Sequence, residues 1–299
     1  MSAMLEFVNF YLIPGLVVGS IYALGAIGVS LLFGILRFAH FSHGDMMTLG
    51  AYLGLPFIVI LNLHPIFGAF LAAFFVAVIA LFIDASVYAP MRHRSTIVSV
   101  MASFGVALMI RSLVQLIWGV DIISYSAGFI SKPLMIGIFR IQEKHIWIIL
   151  ITVALMLVTH LLLAHTKTGK AMRALSDNPE LSRLTGIPTG KIIRITWILG
   201  GGLAAIGGVF AGWDTQLQSM LGWHMLLPIF AATILGGIGR PYGAMLGGVV
   251  IGVVEEIAVY PWIGDDALVD PSYKTGIAFA VMVLMLIVRP TGIFGGRVF

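Results

Sequence analysis

Cysteine is absent from the 299 residues, which excludes disulfide frameworks, thiolate nucleophiles and cysteine-ligated zinc. Charge is scarce. Lys and Arg number 17 and Asp and Glu 13, or 10% of the chain, against about 25% in a soluble domain. With 60% hydrophobic residues, a water-soluble globule is excluded, because even ~75% burial leaves more apolar surface than so few charges can cover. Enzyme signatures are missing as well: there is no Ser/His/Asp set, no HExxH and no paired-acid motif. Gly186, Gly190 and Lys191 faintly echo a phosphate loop, but three residues separate the glycines instead of four, and Ile192 follows the lysine. No nucleotide is expected there. Glu6 stands where a secretory leader would be basic, and the apolar stretch behind it is too long for such a leader.

What is present is a series of long apolar runs bounded by charge, Pro or His. They predict an all-α, polytopic transmembrane helix bundle of about nine spans, near 10–36, 46–62, 65–90, 96–118, 145–165, 191–212, 224–239, 241–260 and 274–289. Helices are expected because backbone groups in lipid must be satisfied internally and the runs lack the dyad alternation of a barrel. Residues 1–299 form a single transmembrane domain. Its longest polar stretches, 119–144 and 166–190, are too short for an enzyme domain, so energy must come from another protein or an ion gradient.

The net charge of +4 reports topology here and not a nucleic-acid partner. Arg37, Arg92, Arg94, Lys167, Lys170, Arg173, Arg183, Lys191, Arg194, Arg240, Arg289 and Arg297 fall on one side, against Lys132, Arg140, Lys144 and Lys274 on the other. The first side is expected to be cytoplasmic, with the amino terminus outside and the carboxyl terminus inside. The outer loop 261–273, with Asp265, Asp266 and Asp270, agrees. Glycines at small-xxx-small spacing (Gly15/Gly19, Gly50/Gly54, Gly208/Gly212, Gly243/Gly247, Gly248/Gly252) allow close helix packing, although glycine is frequent in membrane helices generally. The openings GLVVGSIYALGAIG and GAMLGGVVIG are only weakly alike, so a duplicated half has little support.

Segment 166–191, TKTGKAMRALSDNPELSRLTGIPTGK, is the most informative. Lys170, Arg173 and Asp177 stand at helical spacing. Asn178-Pro179-Glu180 then reads as N-cap, first-turn proline and acid at the positive end of a helix dipole. Gly186 is placed to stop that helix and Pro188 blocks continuation. A two-helix cytoplasmic projection results. It is either a solvated loop carrying positive-inside charge or a short capped helix showing Leu181 and Leu184 to a partner's groove, and the capping favours the second.

His40-Phe41-Ser42-His43-Gly44-Asp45 could hold a metal, but Gly44 would break the helix positioning the ligands. A polar break at the inner mouth, with Asp45 capping the second span and Gly44 turning the chain, fits better. Asp84, Arg111, Glu255 and Glu256 lie within spans, each costing ~3 kcal/mol if it faced lipid. Counting 1.5 Å per residue along spans four and eight puts Arg111 and Glu255 at similar depth. An Arg111–Glu255 ion pair is therefore expected, either structural or part of the pathway, with Asp84 a poorer partner.

Taken together, GSIYALGAIG, HFSHGD, VYAPMRHRS with ASFG, GKAMRALSDNPELSRLTGI, ILGGIG with YGAMLGG, and RPTGIFG resemble, in order and spacing, the branched-chain amino acid ABC-transporter permeases of the high-affinity leucine, isoleucine and valine type. The resemblance implies a multi-pass bacterial inner-membrane importer subunit. Its partners would be a second permease subunit, as homo- or heterodimer, two cytoplasmic ATPases that bind the ATP, and an external solute-binding protein; the chain needs no cofactor of its own. The ATPase-coupling loop would fall on Gly169, Arg173, Ala174, Asp177, Asn178, Pro179, Glu180, Leu181, Leu184, Gly186 and Ile187. Ser182, where the family usually has Ala, and Arg240, where a small or neutral residue is common, depart from the pattern. Relatives carrying urea, short amides or other amino acids share it. An ion-gradient-driven secondary transporter, with Asp84, Glu255 or Glu256 binding the coupling ion, is the rival from another class.

Overall fold

The computed structural model describes residues 2–125, 134–136, 139–262, 269–289 and 291–295. Lys132, Asp265, Asp266 and Arg297 lie outside them. The helices are α1 (Ser2–Phe7), α2 (Ile13–Leu36), α3 (His43–Leu55), α4 (Pro65–Ile83), α5 (Ala89–Met91), α6 (Thr96–Trp118), α7 (Glu143–His165), α8 (Lys167–Asp177), α9 (Pro179–Leu184), α10 (Thr189–Asp214), α11 (Leu221–Gly236), α12 (Pro241–Ala258) and α13 (Lys274–Val288). π-Helical turns at Val8–Leu12, Pro56–Ile60 and Asp84–Tyr88 continue α1 into α2, prolong α3, and join α4 to α5.

Among the described residues, seven helices are long and apolar enough to cross a membrane: Met4–Leu36, Pro65–Met91, Thr96–Trp118, Glu143–His165, Thr189–Asp214, Pro241–Ala258 and Pro271–Val288. The span expected at 224–239 corresponds to the shorter α11, and that at 46–62 to α3 with its π-helical turn, which opens on His43 and Asp45. Both of these start inside the protein: His43, Gly44 and Asp45 on α3, and Leu221 and Gly222 on α11, are buried. A hydropathy run reports apolar length but not where in the bundle a helix begins. The fold is all-helical, as expected, apart from one short hairpin. Leu134–Ile136 (β1) pairs antiparallel with Phe139–Ile141 (β2), Met135 opposite Arg140.

α2 is buried on nearly every side and forms the centre of the bundle, with α7, α10, α11 and α12 around it and α3 packed on α10. The glycine pairs make these contacts. A Cβ at Gly19 would stand 2.9 Å from the Val249 backbone of α12. In the same way, Gly252 lies against Gly19, Gly248 against Ala23, and Gly50 and Gly208 meet Ala205 and the Met47 carbonyl across the α3–α10 contact. Where lipid is as apolar as the protein, such backbone-to-backbone packing supplies the attraction that hydrophobic burial cannot. By contrast, α13 exposes Leu284, Ile287 and Val288, as a helix facing lipid should.

Cationic loops gather at one end. Arg37, in the left-handed conformation (φ 58°) just past α2, donates from Nη2 to the Ser176 carbonyl at 3.4 Å. Arg240 Nη1 donates to the Phe294 carbonyl at 2.6 Å. A cavity of about 1120 Å³ opens between Arg37, Arg173, Asp177, Arg240 and Phe294. The loops that carry Arg37, Arg173 and Arg240 therefore share one end of the molecule.

Candidate functional site

At that end α8 and α9 form a hairpin whose backbone ends are closed locally. The Thr166 hydroxyl accepts the Gly169 N–H at 2.9 Å and starts α8. Gly169, Met172 and Leu175 form the buried face of α8, while the exposed Arg173 donates to the Leu163 carbonyl. Asn178 Oδ1 accepts the N–H groups of Glu180 and Leu181 at 3.1 and 3.0 Å, with Pro179 in the first turn of α9. The far end is a Schellman arrangement. Gly186 takes φ +78°, its N–H reaches the Arg183 carbonyl at 3.1 Å, and the Ile187 N–H reaches Ser182 at 3.0 Å. The start of α8 and both ends of α9 are thus capped within the hairpin, while the Ser176 carbonyl near the end of α8 takes Arg37 from outside it.

Closing the ends locally frees the outer face. Leu181 is 55% exposed and Leu184 85%, an arrangement that a solvated loop has no reason to build. Asp177, Asn178, Glu180 and Gly186 are exposed around them, and Ala174, Pro179 and Ile187 are half-buried. Gly169 is the exception among the implied coupling residues. It is buried against the Leu162 and Leu163 carbonyls, with no room for a Cβ, so it supports the hairpin without showing a surface.

The buried charges pair differently from the expectation. Arg111 does not meet Glu255. Its Nε and Nη2 donate to the two Asp45 oxygens at 2.9 and 3.0 Å, and its guanidinium lies 4.8 Å from the centre of the Trp223 ring. Glu255 instead accepts the Tyr22 hydroxyl at 2.8 Å. Asp84 binds Arg92, eight residues on, and Glu256 binds Lys274 at 2.7 Å. Depth counting failed because α3 starts within the protein and brings Asp45 down to Arg111. Asp45 accordingly does not cap its helix; Ser42 occupies the N-cap position. Gly44 makes no turn: it lies inside α3, against the Gly222 backbone. Tyr22, Trp223 and Lys274 had no signal in the sequence as partners, since nothing local links them to the acids and cation they meet; Arg92, eight residues from Asp84 at the end of the same helical run, did.

The two histidines are placed close together without forming a ligand set. His40 Nε2 is 2.7 Å from Ser42 Oγ and 3.1 Å from the Tyr88 hydroxyl, in an aromatic nest with Trp197. His43 packs on Gly28, its ring 5.9 Å from that of His40. Among the described residues, no group of three His, Cys, Asp or Glu could hold a metal ion.

The molecule is a bundle of apolar helices long enough to cross a membrane, with paired charges inside and a capped projection at one end. Residues 11–286 match the family described as branched-chain amino acid transport system / permease component, and the chain belongs to that family. It is 29% identical over 297 residues to the high-affinity branched-chain amino acid transport system permease protein LivH of Escherichia coli, covering 94% of this chain and 93% of LivH. It is 30% identical over 298 residues to the corresponding protein BraD of Pseudomonas aeruginosa, covering 95% and 94%. In fold it is similar to a chain of PsaBC from Streptococcus pneumoniae, solved in complex with Fab, with TM-score 0.53, 15% identity and 97% of each chain covered.

Proposed function

We propose that this chain is the membrane-spanning subunit of an ATP-driven importer for branched-chain amino acids in a bacterial inner membrane. It pairs with a second permease subunit, receives substrate from an external binding protein, and is driven by two cytoplasmic ATPases. The reading carries over what the family's relatives do, and one observation about this molecule bears most of it: the α8–α9 hairpin presents Leu181 and Leu184 to solvent while closing its own backbone. A chain without a phosphate loop of its own needs such a point of contact with a motor. Closure of an ATPase dimer on the hairpin would tilt the helices behind it as rigid bodies and switch the pathway between its two sides.

The apolar interior suits an aliphatic side chain, and the charged hairpin end fits the cytoplasmic side by the excess of Lys and Arg. Reconstitution tests the whole. Leucine uptake into proteoliposomes holding the complete complex should require ATP hydrolysis. Uptake by this chain alone under a proton or sodium gradient would replace the proposal with secondary transport. Capture of urea or a short amide, and not of leucine, by the partner binding protein would move the substrate within the family.

A further inference from the structure

Most ion pairs among the described residues lie at helix ends: Asp84–Arg92 beside α5, Lys144 and His145 with Asp214 between the start of α7 and the end of α10, and Glu256–Lys274 between α12 and α13. Arg111 is different. It stands about 22 Å from the start of α6 and about 10 Å from its end, and it joins a carboxylate on another helix. Side-chain exposure is 12% for Arg111 and 1% for Asp45. Charges at that depth face protein or water, not hydrocarbon. Leu108 and Ser112 beside Arg111, and Trp223 and His224 on α11, are exposed, so the pair lies close beneath an open face of the chain.

The pair is held asymmetrically. Asp45 is fixed, because the start of α3 is locked to α11 where Gly44 meets Gly222 and Thr48 Oγ1 accepts the Gly222 N–H at 2.9 Å. Arg111 is a long side chain resting on an aromatic face, a contact that keeps its charge stabilised through small displacements. As a unit the pair is neutral. An α-amino acid zwitterion carries the same two charges one carbon apart, and it can enter by exchange: its carboxylate takes the guanidinium and its ammonium takes the Asp45 carboxylate. Net charge is zero before and after, and no ion is left unpaired at depth.

We propose that Asp45 and Arg111 form a place-holding ion pair that opens to bind the transported zwitterion, with Trp223 beside its side chain. This rests on the reading of the chain as an amino acid permease and names the recognition site within it. A lone carboxylate or a lone amine would strand one of the two charges, so the site selects zwitterions.

The test is D45N/R111Q in the complete complex, reconstituted in proteoliposomes. The neutral pair can still hydrogen-bond, so the complex should assemble and its ATPase should respond to loaded binding protein, while leucine uptake falls at least about tenfold. Assembly with uptake within about twofold of wild type overturns the proposal and leaves the amino acid reading intact. Wild-type complex that takes up no amino acid overturns both. A second measurement is independent of how the double variant folds. Tryptophan fluorescence of the wild-type permease–ATPase complex should respond to leucine and much less to leucinamide or 4-methylpentanoate, each lacking one charge, and W223F should abolish the response. Equal responses to all three, or a response surviving W223F, overturns it.

Discussion

The helices around α2 and the α8–α9 hairpin solve the same problem, holding a backbone in place, by opposite means. Around α2, glycines let one helix backbone rest on the next, and stability is a property of several segments at once. In the hairpin, side-chain caps and a left-handed glycine close each helix on itself. The difference teaches where rigidity is needed. Under the proposed coupling role, a bundle that moves as blocks is served by backbone-to-backbone packing, and a hairpin that passes on force while offering a free surface is served by local order.

Substitutions at the two regions should therefore fail in different ways. The largest effect is expected at Gly208→Val, whose Cβ has no room beside the Met47 carbonyl. The cost should exceed about 3 kcal/mol and appear as loss of folded protein in detergent. A normal thermal unfolding profile would show that α3 and α10 are not in backbone contact. Next, Asp45→Ala strands the Arg111 charge and should cost ~3 kcal/mol, whereas D45N/R111Q recovers most of it. If the single and double variants are equally unstable, the two residues are not partners.

Hairpin substitutions should leave unfolding unchanged. Paired Leu181→Asp and Leu184→Asp should lower ATP-coupled uptake by about tenfold or more, as removal of central apolar contacts does at interfaces. A drop in thermal stability instead would mean that these leucines pack within the chain. The smallest effect is expected at Asn178→Ala, which removes two capping bonds worth ~1 kcal/mol to α9. Amide hydrogen exchange should speed up over 179–186 and nowhere in α2 or α10. Faster exchange throughout would erase the distinction between the regions.

How much of this was legible beforehand follows the same division. The hairpin could be read closely because its signals are local: Asn178, Pro179 and Gly186 act within five residues of themselves, and the caps form where their types imply. Apolar runs gave the membrane-crossing helices for the same reason. Pairings across the bundle were not legible. Arg111 finds Asp45 only because α3 begins inside the protein, and apolar length carries no record of that. The shortness of α11 and the polar start of α3 at His43 and Asp45, which leave seven long apolar helices among the described residues, have the same origin. Glycine spacing lay between the two: it marked the contact faces but not their partners.

The absence of cysteine permits one direct test of the hairpin as the point where a motor grips. Leu184→Cys puts a single thiol at the most exposed leucine of α9. In membranes holding the complete complex, a short reagent that couples to this thiol by a maleimide and to its neighbour by a photoreactive group should join this chain to an ATPase subunit, and ATP should change the yield. A thiol that reacts with soluble maleimide as fast in the complex as in the isolated chain, and that links to no ATPase, would contradict the coupling role.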